Sequence, residues 1–314
     1  MSTIAVTAGI DCGKSRLDVA LFGAEDKFHV VNTGDGHREL IARLTSHGVC
    51  RVGMEASGGY ERGVRTALRD AGLPVTVFDP ARVRCFAKAK GLRAKNDRID
   101  AAVIAEFTAS ALALADSLSD PEHEELAGYV RLRRLLSDKR ADLKRVAAML
   151  DGEARGILAT AMEGLDRAIE AVEVKLRERT RAQTALGATI ERLCSAPGIG
   201  WITAMSLAVL LPELGRISSK QIAALAGVAP FDRDSGRWHG QRHIAGGRAD
   251  VRRTLYMAAQ VAATRTSGAI ADFYNRLRAK GKPAKVALTA CMHKLIVRLN
   301  AMIAKGQDWT VKSA

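Results

Sequence analysis

Asp11, Glu55, Asp97 and Asp100 are the residues of this 314-residue chain whose type and spacing could do chemistry together. Asp11 follows the apolar residues Ile4, Val6 and Ile10 and precedes the turn Cys12-Gly13-Lys14-Ser15. Leu17, Val19 and Leu21 then alternate on the way back, the pattern of a β-hairpin with a carboxylate ending its first strand. Such a carboxylate is costly to desolvate unless a cation or a donor meets it. The plain alternative is that Asp11 accepts from the turn amides of Gly13 or Lys14. Glu55 stands at the end of another short strand, and Glu61, six residues on, competes with it. Asp97 and Asp100 are three apart at the start of an Ala-rich helix, a spacing that puts both on one helical face. Helix capping competes for Asp97 and has a weaker claim on Asp100. Four carboxylates converging on one point would repel one another unless a divalent metal sits between them. An all-oxygen donor set favours Mg²⁺, with Mn²⁺ as second choice.

The elements that must position these groups follow from hydrophobic periodicity. After the hairpin, Lys27 to Thr33 reads as a third strand, and Leu40, Ile41 and Leu44 lie at helical spacing. Arg51 to Ala56 is a strand, Tyr60 to Ala71 a helix, Pro74 to Asp79 a strand, and Asp97 to Leu112 a helix. A three-strand meander followed by helix, strand, helix, strand, helix is the ribonuclease-H-like order, a mixed sheet with helices on both faces. That fold would set Asp11 on the central strand and Glu55 on its neighbour.

From about Pro121 the texture changes. Tyr129, Leu136, Leu143, Leu150 and Ile157 recur every seven residues. After a break from Gly152 to Gly156, Met162, Leu165, Ile169, Val172 and Leu176 continue in steps of three and four. Two long helices in an antiparallel or intermolecular coiled coil fit this pattern, and an ordinary helical bundle is the alternative. In the third segment, Pro197-Gly198-Ile199-Gly200 between two helical patterns resembles a helix-hairpin-helix. There Gly198 and Gly200 would let backbone amides approach a phosphate; a plain glycine-rich turn competes. The polar loop Phe231 to Gly247 follows, and then a mainly helical end whose first helix carries Arg248, Arg252 and Arg253 on its opening turns. The expected organisation is 1–115 as an α/β domain, 116–192 as a helical coiled-coil linker and 193–314 as a mainly α domain.

Composition narrows the partners. The net charge is +14, from 48 basic and 34 acidic residues, which makes a polyanion the first partner to consider. The excess is concentrated in 81–100 and 231–314, and both stretches flank the candidate chemistry. The five cysteines are scattered without a CxxC spacing, so neither a disulfide frame nor a zinc site is indicated. No apolar run approaches the ~20 residues of a membrane span, and the N-terminus lacks the pattern of a signal peptide. A cytoplasmic protein without membrane association is expected.

The segments GIDCGKSRLDVAL, MEASGGYE, KNDRIDA, PGIGWITA, LAGVAP, the Ser235-Gly236 pair and GGRADVRRTLYMAA occur in an order and spacing that resemble one family. It is the insertion-sequence transposases with an N-terminal DEDD, RuvC-like domain and a C-terminal serine-bearing domain, which includes the pilin-gene invertases and recombinases directed by a structured bridge RNA. The resemblance implies that Asp11, Glu55, Asp97 and Asp100 are the acidic quartet and that Ser235 is the nucleophile. Without it, Ser235 before a glycine reads as a turn residue. It also implies DNA partners (element ends and target), a structured guide RNA, a homo-oligomer (dimer or tetramer) and a site composed from different protomers. From their charge, Arg233, Arg237, Arg242 and Arg248 are candidate phosphate-facing cations around Ser235.

The expected function is a DNA transposase or recombinase that cuts and rejoins strands through a phosphoserine ester, so that the bond energy is retained. The chief alternative is a RuvC-like junction nuclease that uses the same quartet on water. Actin-like kinases open with a similar hairpin, but this chain shows no second copy of it and no later adenosine-type glycine loop. A non-catalytic nucleic-acid-binding descendant is the remaining reading, and the intact quartet argues against it.

Overall fold

The computed structural model describes residues 5–24, 26–92, 97–110, 121–231 and 243–310, with side chains described throughout except at 81, 97–99 and 121. The chain forms two compact units, Met1–Ser119 and Asp120–Ala314.

In the first unit β1 (Thr7–Cys12), β2 (Arg16–Phe22) and β3 (Lys27–Val31) form the meander. Next come α1 (Gly34–Ser46), β4 (Arg51–Glu55), α2 (Glu61–Asp70), β5 (Val75–Phe78), α3 (Pro80–Ala89) and α4 (Asp97–Ala109). The sheet order is β3-β2-β1-β4-β5, antiparallel through the meander and parallel across β1, β4 and β5. This is the mixed α/β sheet that the order of hydrophobic segments predicts. The unexpected element is α3: Pro80 reads in sequence as the end of a strand, yet it opens a helix, because proline is tolerated in a first helical turn.

Alternation divides the sheet into two faces. Ala8, Ile10, Leu17, Val19, Val52 and Met54 pack with Leu40 and Leu44 of α1 and Val64 and Leu68 of α2. On the other face α4 lies directly on backbone. A Cβ at Gly9 would overlap the Ala101 carbonyl oxygen and the Ala105 amide nitrogen, and one at Gly53 would overlap Thr108 Oγ1. Thr7 Oγ1 donates to the Ala105 carbonyl at 2.9 Å. Gly9→Ala is therefore expected to lift α4 from the sheet and destabilise the unit by about 1–3 kcal/mol, the usual range for overpacking. A denaturant midpoint no lower than that of the unmodified chain would contradict this packing.

In the second unit α5 (Pro121–Ala147) and α6 (Gly152–Ala182) form an antiparallel helical pair. Ion pairs Glu125–Arg179, Arg133–Glu173 and Arg140–Asp166 link them, so partners on one helix descend in number as those on the other ascend. Leu136, Leu143, Met162, Leu165 and Ile169 are half-buried and Val172 and Leu176 buried, whereas Ile157 is 68% exposed. The sequence break falls a few residues earlier than its glycines suggest, because α6 starts at Gly152 itself (φ 60°).

The remaining elements are α7 (Thr184–Cys194), α8 (Trp201–Leu210), α9 (Ser219–Leu225), β6 (Pro230–Phe231), β7 (His243–Ile244), α10 (Ala249–Thr264), α11 (Ala269–Ala279) and α12 (Ala284–Ala304). Together with the base of the helical pair they enclose one core. By length and composition α12 could cross a membrane. Here it is a core helix: Cys291, Leu295 and Leu299 are fully buried. Its buried Asn300 accepts from the Gly215 amide at 2.7 Å and donates to the Ile217 carbonyl at 2.8 Å.

Candidate active site

β1 and β4 are parallel neighbours with Ile10 opposite Met54, so one step further sets Asp11 beside Glu55. Side chains of in-register neighbours share a face, and adjacent strands lie about 4.8 Å apart. Both carboxylates therefore project on the face that α4 covers. Ala101 lies over Gly9 and Ala105 over Gly9 and Thr7, so α4 runs antiparallel to β1. Its opening turn, with Asp97 and the half-buried Asp100, is directed toward the Asp11 end of that strand. The Asp97 side chain lies outside the described residues.

Glu61 has a different position. Its Oε2 accepts from the Ser57 amide at 3.1 Å and the Gly59 amide at 2.9 Å, closing the loop that follows Glu55. That engagement in the loop's backbone favours Glu55 over Glu61 for the acidic role. A carboxylate not singled out by sequence also emerges: Asp18 pairs directly with Asp11 across the hairpin. Its charge is met by Arg16 Nε at 2.9 Å. Burial, reinforced by the charges of Asp11 and Glu61, pushes the Cys12 thiol up to about 12. Cys12 packs with Ala8 and Ile10 in the core on the other face of the sheet, which leaves an all-oxygen donor set.

Such hard, anionic donors fit a divalent cation of the Mg²⁺ type. Among the described residues no three His, Cys, Asp or Glu side chains form a group able to hold a metal. Asp11, Glu55 and Asp100 are thus not brought together as a three-carboxylate group, and the Asp97 side chain, the fourth expected member, lies outside the described residues.

The second constellation is built around residues 232–242, which include Arg233, Ser235, Arg237 and Arg242 and lie outside the described residues. What flanks them is clear. β6 and β7 pair antiparallel, Pro230 with Ile244 and Phe231 with His243. Below this ribbon Gly227 (φ 67°) and Gly247 (φ 67°) meet backbone to backbone, so close that a Cβ on either would overlap the other's segment. The Arg248 amide donates to the Leu225 carbonyl at 2.7 Å, and Arg252 to the Gly246 carbonyl at 2.6 Å. The glycines of the LAGVAP and GGR segments therefore fasten the two ends of the serine-bearing stretch.

Arg248 is engaged by the fold. Its guanidinium forms two 2.6 Å bonds to Glu213 and one of 3.1 Å to the Leu210 carbonyl. Burial pushes the Glu213 carboxyl up, but the hydrogen bonds and charge of Arg248 outweigh it and hold the carboxyl below its ordinary value of 4.5. A lowered folded-state value contributes stability above the unfolded value and loses it as pH falls through the folded one. The second unit should therefore lose stability as pH drops below about 4.5, and Glu213→Gln should flatten that limb of a pH–melting curve. An unchanged acid limb in the variant would contradict the assignment.

Arg253, more exposed, reaches Asp138 of α5 at 3.2 Å. Gly198 (φ 77°) has a packing reason: a Cβ there would come within 2.6 Å of the Ala258 carbonyl and 2.7 Å of the Ala262 amide on α10. Gly200, at the N-cap of α8, has open space before it.

Comparison with known proteins identifies the family of the chain. A DEDD-type transposase profile matches residues 8–153, and a profile of the IS116/IS110/IS902 transposase family matches residues 190–275. Together they span well over half of the chain. The chain belongs to the IS116/IS110/IS902 transposase family. It is thus a member of a transposase and site-specific recombinase family. The pilin gene-inverting protein of Moraxella bovis is 25% identical to it over 96% of each chain. The transposase for insertion sequence element IS1111A of Coxiella burnetii is 26% identical over 73% of this chain and 69% of its own. Thermus thermophilus RuvC, solved in complex with a Holliday junction substrate, is 19% identical with a TM-score of 0.27, covering 33% of this chain and 94% of that one. Within the family match, the first profile runs from β1 into the start of α6 and holds all four carboxylates. The second runs from α7 into α11 and takes in the ribbon and the stretch it brackets.

Proposed function

We propose that this family member cuts and rejoins DNA with two constellations: the acidic quartet Asp11, Glu55, Asp97 and Asp100, and a nucleophilic Ser235. The observation that carries the reading is the in-register placement of Asp11 and Glu55 on the face toward which the opening turn of α4 is directed. Ser235 Oγ attacks the phosphorus of a phosphodiester; the Oγ–P bond forms as the bond to the 3′ oxygen breaks. The seryl proton leaves with the 3′-OH, and reversal of the step on a new strand rejoins DNA without external energy.

Serine is a weak nucleophile and phosphate oxygens gain charge in the transition state, so both need help. When bound, a divalent ion supplies Lewis acidity and lowers the proton affinity of a coordinated oxygen. Asp11, Glu55, Asp97 and Asp100 would hold and orient it. Arg252 and Arg253 lie on the opening turns of α10, just beyond the ribbon, where they and Arg233, Arg237 and Arg242 would meet phosphate. Arg248 is taken up by its bonds to Glu213 and the Leu210 carbonyl. The sequence surplus of basic charge in 231–314 gives this region the sign a DNA backbone requires. A structured RNA guiding target choice, and an oligomer in which acidic and serine constellations come from different protomers, complete the proposal.

The test is cleavage of a supercoiled plasmid carrying the DNA that flanks the gene, with RNA transcribed from the adjoining non-coding stretch. Chelation by EDTA should stop cleavage, and excess Mg²⁺ or Mn²⁺ should restore it. Cleavage that survives chelation would contradict the acidic site; cleavage without the RNA would remove the guide from the account.

A further inference from the structure

Asn32 follows the last residue of β3, at the sheet edge, and its amide joins two segments that the sequence keeps far apart. Its Nδ2 donates to the Gly13 carbonyl at 2.9 Å and to the Tyr60 carbonyl at 3.1 Å. Gly13 lies in the turn two residues beyond Asp11; Tyr60 ends the loop that begins after Glu55. The Asn32 backbone amide adds a 3.0 Å bond to the Ser15 carbonyl in the same turn. Two carbonyls can only accept, so the nitrogen of the Asn32 amide must face them and Oδ1 must face His37. His37 Nε2 stands 2.8 Å from Oδ1 and is thereby fixed as the donor. His37 itself is carried by α1, which is anchored in the core through Leu40 and Leu44.

The loop after Glu55 is also tied to β5, by the Ala56 amide donating to the Phe78 carbonyl at 3.1 Å. The β1–β2 turn is closed by the Gly13 amide donating to Arg16. The loop after Glu55 contains Gly58 (φ 69°) and Gly59 (φ 106°), conformations that leave the chain many alternatives when unrestrained. Its internal ties include the Glu61 carboxylate bonds, Ser57 Oγ donating to the Glu55 carbonyl at 3.1 Å and the Tyr60 amide donating to the Ser57 carbonyl at 3.4 Å. A carboxylate pair binds metal tightly only where both members are held in position before the ion arrives.

We propose that Asn32, held by His37, is a positioning residue for the acidic site: it locks the turn after Asp11 to the loop after Glu55 and so fixes the spacing of those two carboxylates for a divalent cation. The inference rests on the metal role proposed above for Asp11 and Glu55. Asn32→Asp keeps the shape and the acceptor for His37 but replaces both donors with oxygen facing two carbonyls. His37→Leu removes the donor that orients the amide, and His37→Gln supplies another amide donor.

The experiment is Mn²⁺ titration of the full-length protein with the free ion counted by electron paramagnetic resonance, beside thermal melting without metal. Asn32→Asp should weaken Mn²⁺ binding about tenfold, the lower end of what loss of a supporting partner costs a metal site. His37→Leu should weaken it severalfold and His37→Gln should restore it, with melting midpoints close to that of the unmodified chain. A Mn²⁺ affinity within twofold of the unmodified chain in both folded variants would overturn the inference. Should Asn32→Asp not fold, the His37 pair decides alone: equal affinity in His37→Leu and His37→Gln would overturn it. If the unmodified protein itself binds no Mn²⁺, the metal role of Asp11 and Glu55 fails; if it binds and the variants match it, only the positioning role fails.

Discussion

Asp11→Asn is expected to abolish DNA cleavage while leaving the fold and nucleic-acid binding in place. Asparagine keeps the shape of the side chain on β1, so the pairing of Ile10 with Met54 and Val19 and the buried face below are untouched. What changes is one unit of negative charge beside Glu55, in a group whose proposed task is to hold a divalent ion. Loss of a ligand that also sets the ion's position should reduce the rate by several orders of magnitude, since catalysis by positioning and charge together falls steeply when geometry loosens. The measurement is single-turnover cleavage at ordinary Mg²⁺, with melting and filter binding as controls. Full activity in that variant would remove Asp11 from the chemistry.

Ser235→Ala is expected to have an equally large effect by a different route. The substitution removes a single oxygen from a stretch of polar, glycine-containing sequence bracketed by β6 and β7, whose flanks are fastened by Gly227, Gly247 and Arg252. Stability and binding to nucleic acid should therefore persist. Strand cleavage and covalent attachment should both vanish, because alanine offers no nucleophile. Ser235→Cys should retain weak attachment, since a thiolate is still a nucleophile. A Ser235→Ala protein that still nicks DNA would transfer the chemistry to water activated at the acidic quartet.

Much of the first unit was legible because its signals are local. Alternation at Leu17, Val19 and Leu21 and the turn between Asp11 and Arg16 specify the hairpin, and the order of strands and helices then limits the sheet to few topologies. The adjacency of Asp11 and Glu55 follows from that order. The partnership of Asp18 with Asp11 is a matter of register, and that of Asn32 with Gly13 and Tyr60 a matter of which turns meet at a sheet edge; neither leaves a periodic trace. α3 was hidden by Pro80, which suits a strand end and a helix start alike. In the second unit the seven-residue spacing reveals the long helices, and the charged partners fix their direction only once Arg133 is seen opposite Glu173. The ribbon of β6 and β7 is too short to alternate. Gly198 shows how one residue type serves two explanations: phosphate approach and helix packing both call for a missing Cβ, and the contact with Ala258 and Ala262 is visible only in three dimensions.

On the proposed mechanism the protein becomes covalently joined to the DNA it cuts. Mass spectrometry of protein trapped on a nicked DNA substrate, after digestion of both polymers, tests it directly. The expected product is a nucleotide linked through phosphate to the peptide containing Ser235, absent from Ser235→Ala and from samples prepared without divalent metal. Cut DNA with no phosphate ester on Ser235 would contradict it.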